Sequence, residues 1–308
     1  MFNAPDYMQL LPPSVLARFA NAGILVRGFV EGFKHGEHKS LYVGTSTEFA
    51  EHREYSPGDD PRDLDWRVYG KMDRYYVKQY VEETNVRATI LLDASGSMAY
   101  TGDAAQKRGY QRLSKFAFAQ HLAAVAAYLL TRQGDAAGIA TFDTKLRSRL
   151  PAASTPAHLQ RMLQLIHATS PGGESSLADV LHDIAERIPR RGLVFLVSDF
   201  FDDVPELIRA FHHLRFRKHQ LVIFHVLAEE ERTFPFGSST RFRNLEEMAD
   251  QLNVDPRTIR GEYLKQFNAF LEELEAGCGQ VQADYVRFET NKPFEETLTN
   301  YLSSRARR

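Results

Sequence analysis

The sequence has a single cysteine, Cys278, among its 308 residues. An internal disulfide is therefore excluded, and no cysteine–histidine spacing typical of a zinc site exists. Low cysteine content fits a reducing compartment. Residues 1–16 lack the basic flank and apolar run of a signal peptide, and no apolar stretch approaches the length of a membrane span. We therefore expect a cytoplasmic protein.

The chain also lacks an excess of charge of either sign. Its formal net charge is −2, and 25% of its residues are charged. This balance creates no field that would attract nucleic acid or a membrane surface, so neither is expected as a partner. The hydrophobic content of 43% is ordinary for a globular protein, and a chain of this length can bury a sizeable core.

The pattern of apolar residues changes at Ala88. Residues 1–87 show little periodicity, and we expect an irregular N-terminal extension with too thin a core to fold alone. Beyond them, short apolar runs alternate with helical patterns; the runs are 88–92, 138–142, 193–197 and 221–226. Such runs are typical of strands buried on both faces. The sequence therefore predicts a doubly wound, mostly parallel α/β sheet of Rossmann type over residues 88–308.

The remaining elements follow from helical and alternating patterns. Helices are predicted at 113–130, 159–166, 177–184, 205–214, 256–276 and 294–302. Residues 281–288 alternate and predict a half-exposed edge strand, and residues 229–240 predict a loop. His212, His213 and His219 are interpreted as a solvated helix end beside basic residues.

Oxygen donors follow two of the predicted strands. Asp93 ends the first apolar run, Ser95 and Ser97 follow at alternate positions, and Asp199 ends the third run. In a parallel sheet, ligands bind beyond the carboxyl ends of the strands, at the topological switch point. Carboxylate and hydroxyl oxygens suit Mg²⁺, Mn²⁺ or Ca²⁺ better than zinc. The alternative for such a triplet alone is a turn or a helix N-cap, which Asp and Ser also favour.

These residues resemble the metal-ion-dependent adhesion site of von Willebrand factor A domains, over about residues 88–227. The resemblance implies that Ser95 and Ser97 bind the metal directly and that Asp93 and Asp199 act through water. It also implies a hydroxyl from the loop that contains Gly172-Gly173, where the family normally has threonine. This sequence has Ser175 or Ser176 there. Ser175 fits better, because Leu177 and Leu181 then match the family's apolar positions.

A second resemblance lies in residues 45–87 and covers most of the chain when the later elements are included. The residues that carry it are Glu48-Phe49, Arg53, Tyr55, Pro57-Gly58-Asp59-Asp60, Arg62, Leu64-Asp65-Trp66 and Tyr76-Val77-Lys78-Gln79-Tyr80. They look like the domain-of-unknown-function family 58, in which this string precedes a von Willebrand A-like domain. The resemblance implies association with a MoxR-type AAA+ ATPase and an accessory role in chaperone-like assembly or activation of other proteins.

Two groups of residues in the N-terminal extension each allow two interpretations. The acidic residues Asp59, Asp60, Asp63 and Asp65 match no calcium loop, and a salt-bridged turn with Arg53, Arg62 and Arg67 is the favoured interpretation. The aromatic residues Trp66, Tyr69, Tyr75 and Tyr76 either pack this segment or bind a partner.

Three functions remain open at this point. The first is a metal-dependent protein-interaction module, in which an acidic residue of the partner completes the metal shell. The second is a metal-dependent hydrolase that uses the same strand ends, and the third is a scaffold without metal. The sequence contains no phosphate-binding Gly-x-x-x-x-Gly-Lys loop, no Asp-x-Asp pair at Asp93 and no His–Glu zinc motif. We therefore expect a binding protein rather than an enzyme.

Overall fold

The computed structural model describes residues 6–20, 47–56, 64–72, 74–82, 86–102, 113–173, 176–237, 240–243 and 251–305. Within them lies a six-stranded sheet formed by β3 (Arg87–Asp93), β4 (Ala136–Phe142), β5 (Leu146–Ala153), β6 (Gly192–Ser198), β7 (His219–Leu227) and β10 (Asp284–Glu289). Two antiparallel pairs accompany it: β1 (Thr47–Glu54) with β2 (Tyr76–Glu82), and β8 (Thr240–Arg243) with β9 (Gln251–Val254).

The described helices are α1 (Pro13–Ala20), α2 (Trp66–Met72), α3 (Lys115–Arg132), α4 (Pro156–Ala168), α5 (Leu177–Arg187), α6 (Val204–Phe216), α7 (Glu229–Thr233), α8 (Pro256–Gln280) and α9 (Phe294–Arg305). Short 3₁₀ helices occur at Asp6–Leu10 and Gly96–Ala99. Of the helices in these segments, none has both the length and the apolar character that crossing a membrane requires.

The strand order of the main sheet is β10-β7-β6-β3-β4-β5. Every neighbouring pair is parallel except β4 and β5, which are antiparallel. The predicted doubly wound, mostly parallel α/β fold is therefore confirmed, with β10 as an edge strand. The chain adds β4 and β5 on one side of β3 and later places β6, β7 and β10 on the other. The topological switch point consequently lies between β3 and β6.

Two apolar cores cover the two faces of this sheet. Ile90 and Leu92 of β3 face a core that includes α3, α4 and α9, whereas Leu91 faces a core with α5, α6 and α8. Burial on both faces explains the continuous apolar runs of the parallel strands. β5 was not predicted, because this edge strand is only partly buried and is rich in polar residues.

The chain divides into two compact units, Met1–Phe33 with Val86–Arg308, and Lys34–Asn85. The predicted extension of residues 1–87 is thus divided in the structure. Leu10 and Phe19 are buried in the core that contains α3 and α4, and the Leu10 carbonyl lies 3.0 Å from His121 Nδ1 of α3. Apolar burial therefore attaches the start of the chain to the main sheet unit.

The second unit contains β1, β2 and α2. Asp65 accepts hydrogen bonds from the backbone N–H groups of Arg67 (2.9 Å) and Val68 (3.3 Å), so it caps α2. Asp59, Asp60, Asp63 and Arg62 lie outside the described residues. Trp66 is 63% exposed and contacts Tyr69 edge to face, and Tyr69 stacks on Tyr75.

Candidate metal site

The loops that follow β3 and β6 lie at the switch point and carry most of the predicted site. Asp93 is the last residue of β3 and is 1% exposed, and Ser95 is fully buried. The loop leaves β3 while still bonded to the sheet, because Ala94 N–H donates to the Phe142 carbonyl of β4 at 2.7 Å. Asp199 directly follows β6 and is also buried. Neighbouring strand ends thus supply both carboxylates.

The two serine hydroxyls of the first loop face each other. Ser95 Oγ lies 3.1 Å from Ser97 Oγ, and Asp93 Oδ1 accepts a hydrogen bond of 2.8 Å from the Ser95 N–H. Ser95 precedes the 3₁₀ helix Gly96–Ala99, but its side chain makes no capping hydrogen bond. The N-cap alternative therefore does not account for the Ser95 hydroxyl.

This pair of hydroxyls fits a small hard cation. Two oxygens bound to Mg²⁺ at 2.0–2.1 Å in adjacent octahedral positions lie about 3.0 Å apart. Ser95 Oγ and Ser97 Oγ share a hydrogen bond of 3.1 Å, a separation close to that spacing, so a cation would replace this hydrogen bond. Among the described residues, no group of three or more His, Cys, Asp or Glu side chains could hold a metal. A cation at this edge would therefore depend on hydroxyl oxygens.

Ser198 connects the two strand ends and was not identified from the sequence. Its hydroxyl donates to Asp93 Oδ2 at 2.6 Å and accepts a hydrogen bond of 2.9 Å from Phe200 N–H. Burial and the negative charge of Asp199 together raise the pKa of Asp93 to about 7, although hydrogen bonds from Ser198 and Ser95 oppose the rise. The only signal in the sequence was the position of Ser198 immediately before Asp199.

The paired-glycine loop packs directly against the first loop. Gly96 N–H donates to the Gly173 carbonyl at 2.9 Å, and Gly172 N–H donates to the Ala94 carbonyl at 2.9 Å. Gly173 has a φ of +89°, a backbone conformation that favours glycine. Arg147 supports the loop by donating to the carbonyls of Ser170 and Gly172. The three predicted segments therefore meet at one edge of the sheet.

The paired-glycine loop was expected to supply one serine hydroxyl, from Ser175 or from Ser176. Ser175, the predicted ligand, lies outside the described residues, so its role stays a prediction. Ser176, the alternative, donates its hydroxyl to Asp179 Oδ2 at 2.7 Å in the first turn of α5. That contact gives Ser176 a local structural role.

A buried lysine adjoins the site and was missed by sequence reasoning. Lys115 Nζ lies 2.6 Å from Asp199 Oδ2 and 2.5 Å from Glu231 Oε1, and the residue is 1% exposed. Burial lowers the pKa of Lys115, but the charges of Asp199 and Glu231 outweigh burial and raise it above its usual value. Glu231 Oε2 also accepts from Ala228 N–H at 2.8 Å. The predicted water-mediated ligand Asp199 is thus also the partner of an internal ammonium group.

Aromatic side chains lie at the rim of the site. Phe200 is buried with a φ of +55°, which is uncommon for a residue other than glycine and marks local backbone strain. Phe201 is 44% exposed, its ring stacks on Phe270 of α8, and its centroid lies 5.3 Å from Lys115 Nζ. Large exposed aromatic side chains of this kind are enriched in protein interfaces.

A comparison with known protein families shows which family the chain belongs to. The model of the family described as "Protein of unknown function DUF58" matches residues 51–270. The chain belongs to this DUF58 family. The match begins in the N-terminal string that resembled family 58 and continues through the metal-site loops into α8, so the predicted membership is confirmed.

Mycobacterial proteins match this DUF58 protein over nearly its full length. The uncharacterized proteins Rv1480 of Mycobacterium tuberculosis (strain H37Rv) and Mb1516 of Mycobacterium bovis are each 24% identical over 303 residues, which are 96% of this chain and 91% of theirs. Among solved structures, BatB from Bacteroides thetaiotaomicron is 15% identical with a TM-score of 0.47, covering 73% of this chain and 100% of BatB. A von Willebrand factor type A protein from Catenulispora acidiphila is 13% identical with a TM-score of 0.42, covering 74% and 44%.

Proposed function

We propose that this DUF58 protein is a metal-dependent protein-interaction module and the accessory partner of a MoxR-type AAA+ ATPase. The observation that carries the proposal is the separation of 3.1 Å between Ser95 Oγ and Ser97 Oγ beside the buried carboxylate of Asp93. These groups supply hard oxygen donors in a spacing suited to Mg²⁺, with Mn²⁺ or Ca²⁺ as alternatives.

Some residues of the site would bind the cation directly, and others would act on it through water. Ser95 and Ser97 would be direct ligands, while Asp93 holds the loop through the Ser95 N–H and would act on the metal through water. Ser175 would add a further hydroxyl. A cation bound by neutral hydroxyls keeps most of its positive charge, and it would therefore attract a carboxylate from the partner.

Lys115 limits how strongly the site would hold a cation. Its ammonium neutralises part of the negative charge of Asp199 and Glu231 and repels a second positive charge. We therefore propose that metal affinity is modest without a partner and increases when the partner's carboxylate joins the shell. The exposed ring of Phe201 supplies apolar contact area next to that carboxylate.

The identity of the partner rests on the family resemblance. The chain has no phosphate-binding Gly-x-x-x-x-Gly-Lys loop of its own, so ATP hydrolysis in a complex would come from the other protein. In this proposal the DUF58 protein binds and the ATPase hydrolyses, and together they assemble or activate other proteins.

The test is capture of the purified MoxR-type ATPase of the same organism by the immobilised chain, in Mg²⁺ and in EDTA. We expect capture in Mg²⁺ and at least tenfold weaker binding after EDTA or after Ser95→Ala/Ser97→Ala. The matched control, Ser303→Ala/Ser304→Ala, removes two hydroxyls from α9 and should bind normally. Equal capture by wild type and Ser95→Ala/Ser97→Ala would contradict the proposal.

A hydrolase screen separates the alternative function. Phosphate and carboxylic esters are offered to wild type and Asp93→Ala in Mg²⁺ and Mn²⁺. We expect no turnover above the buffer rate from either protein. Metal-dependent turnover by wild type that is lost in Asp93→Ala would favour a hydrolase over the binding function.

A further inference from the structure

A cavity of about 450 Å³ lies at the opposite edge of the main sheet from the candidate metal site. It is formed where β3 and β6 begin and where β5 ends, since its walls include Arg87, Arg149, Arg191, Thr155 and His219. Cavities of this size are within the range that binds small molecules. Neither the proposed binding function nor the alternative hydrolase would use it.

Three arginines surround this cavity without a carboxylate among its lining residues. Among the described residues, the side chains of Arg87, Arg149 and Arg191 make no hydrogen bond or ion pair, whereas Arg147, Arg187 and other arginines are paired with acids. Unpaired guanidinium groups at one cavity repel each other, and an anion would remove that repulsion.

The strand register explains why these groups meet. Gly192 lies between Arg87 on β3 and His219 on β7, and Arg191 directly precedes Gly192. A Cβ atom at Gly192 would lie 2.7 Å from the Arg87 carbonyl oxygen, so the close approach of the two strands requires glycine here. Arg149 reaches the cavity from β5, beyond β4.

Two further features favour a negatively charged ligand. Ser154 and Thr155 line the cavity at the N-terminus of α4, a helix of thirteen residues whose positive dipole end attracts anions. His219, predicted as part of a solvated helix end, is instead 1% exposed, and neither of its ring nitrogens has a hydrogen-bond partner among the described residues. A buried polar group of this kind normally has a partner, and a bound ligand would supply one.

We propose that this cavity binds a small phosphate-bearing molecule. Three guanidinium groups match the charge and the several oxygens of a phosphate better than those of a single carboxylate, because each can donate two parallel hydrogen bonds. The volume of about 450 Å³ exceeds that of a phosphate group and leaves space for an organic part. The cavity is separate from the candidate metal site, so this proposal does not depend on the proposed function.

The test measures thermal stability and binding by calorimetry with inorganic phosphate, AMP and adenosine, against chloride at equal ionic strength. We expect phosphate and AMP, but not adenosine, to bind wild type and raise its Tm. Arg87→Gln/Arg149→Gln should bind at least about tenfold more weakly. Arg191→Gln serves as a second variant, in case the double variant is poorly folded. Tighter binding of AMP than phosphate would assign the organic part to the cavity.

The matched control is Arg187→Gln/Lys265→Gln, which removes the same charge from exposed positions on α5 and α8. It should bind phosphate as wild type does. Failure of phosphate and AMP to bind wild type would overturn the proposal. An equal effect on wild type, control and arginine variants would also overturn it, because that result indicates a general ion effect.

Discussion

Replacement of Lys115 by methionine removes the ammonium group between Asp199 and Glu231 and leaves the packing volume similar. Both carboxylates are then without their partner in a buried environment. Breaking a buried ion pair by removing one partner typically costs about 3–5 kcal/mol. We therefore expect the free energy of unfolding of Lys115→Met to fall by this order and its Tm to fall by on the order of 10 °C.

The same substitution should strengthen metal binding. Without the ammonium, an incoming cation meets no repulsion from Lys115 and can neutralise the carboxylate of Asp199. We expect the affinity for Mg²⁺ or Mn²⁺ to rise at least tenfold, which corresponds to about 1.4 kcal/mol. Titration calorimetry gives the affinity, and saturating metal should restore part of the lost Tm in Lys115→Met.

Two controls make the result interpretable. Lys265→Met removes an exposed lysine 4.0 Å from Glu262 and should change stability by no more than about 0.5 kcal/mol. Lys115→Met/Glu231→Gln removes one of the two uncompensated charges and should recover part of the stability. A Lys115→Met protein with wild-type stability and wild-type metal affinity would refute this account of the buried lysine.

Three further predictions concern packing, pH and the rim. Gly138→Ala should lower the free energy of unfolding by about 1–3 kcal/mol in chemical denaturation, because its Cβ would lie 2.7 Å from backbone atoms of β5. The control is Gly261→Ala on α8, which has open space around the new Cβ and should be neutral or stabilising. Burial lowers the pKa of His219 to about 4 in the folded chain, against about 6.5 in the unfolded chain. As the pH falls from about 6.5 to 4, protons therefore favour the unfolded chain, and the free energy of unfolding falls by up to about 3 kcal/mol. His219→Leu should therefore show a smaller loss of stability over that window, and an unchanged slope would contradict the assignment. Phe201→Ala should weaken capture of the ATPase while the metal affinity stays within twofold, and unchanged capture would exclude the exposed ring from the interface.

The sheet was predictable because its central strands are buried on both faces. The runs ending in Asp93 and Asp199 carry enough continuous apolar sequence to identify parallel strands, and the structure confirms them as β3 and β6. β5 escaped prediction because an edge strand is partly exposed and its residues mix polar and apolar types. Helix α7 escaped because a single turn produces no periodicity to detect.

The candidate metal site was also predicted only in part. Asp93, Ser95 and Ser97 were identified from spacing within one loop, and the strand order explains why Asp199 lies beside them. Lys115 and Glu231 gave no such signal, since the contact between them spans 116 residues and depends on how α3 and α7 pack. Long-range pairs of this kind follow from tertiary structure rather than from any local pattern.

We propose above all that oxygen atoms at the ends of β3 and β6 hold a divalent cation. The most direct test of this proposal is calorimetric titration of Mg²⁺ and Mn²⁺ into the metal-free protein, compared with Ser95→Ala/Ser97→Ala and with Ser303→Ala/Ser304→Ala. We expect wild type and the α9 control each to bind one cation per chain, and Ser95→Ala/Ser97→Ala to bind none. Equal binding by all three proteins, or no binding by wild type, would contradict it.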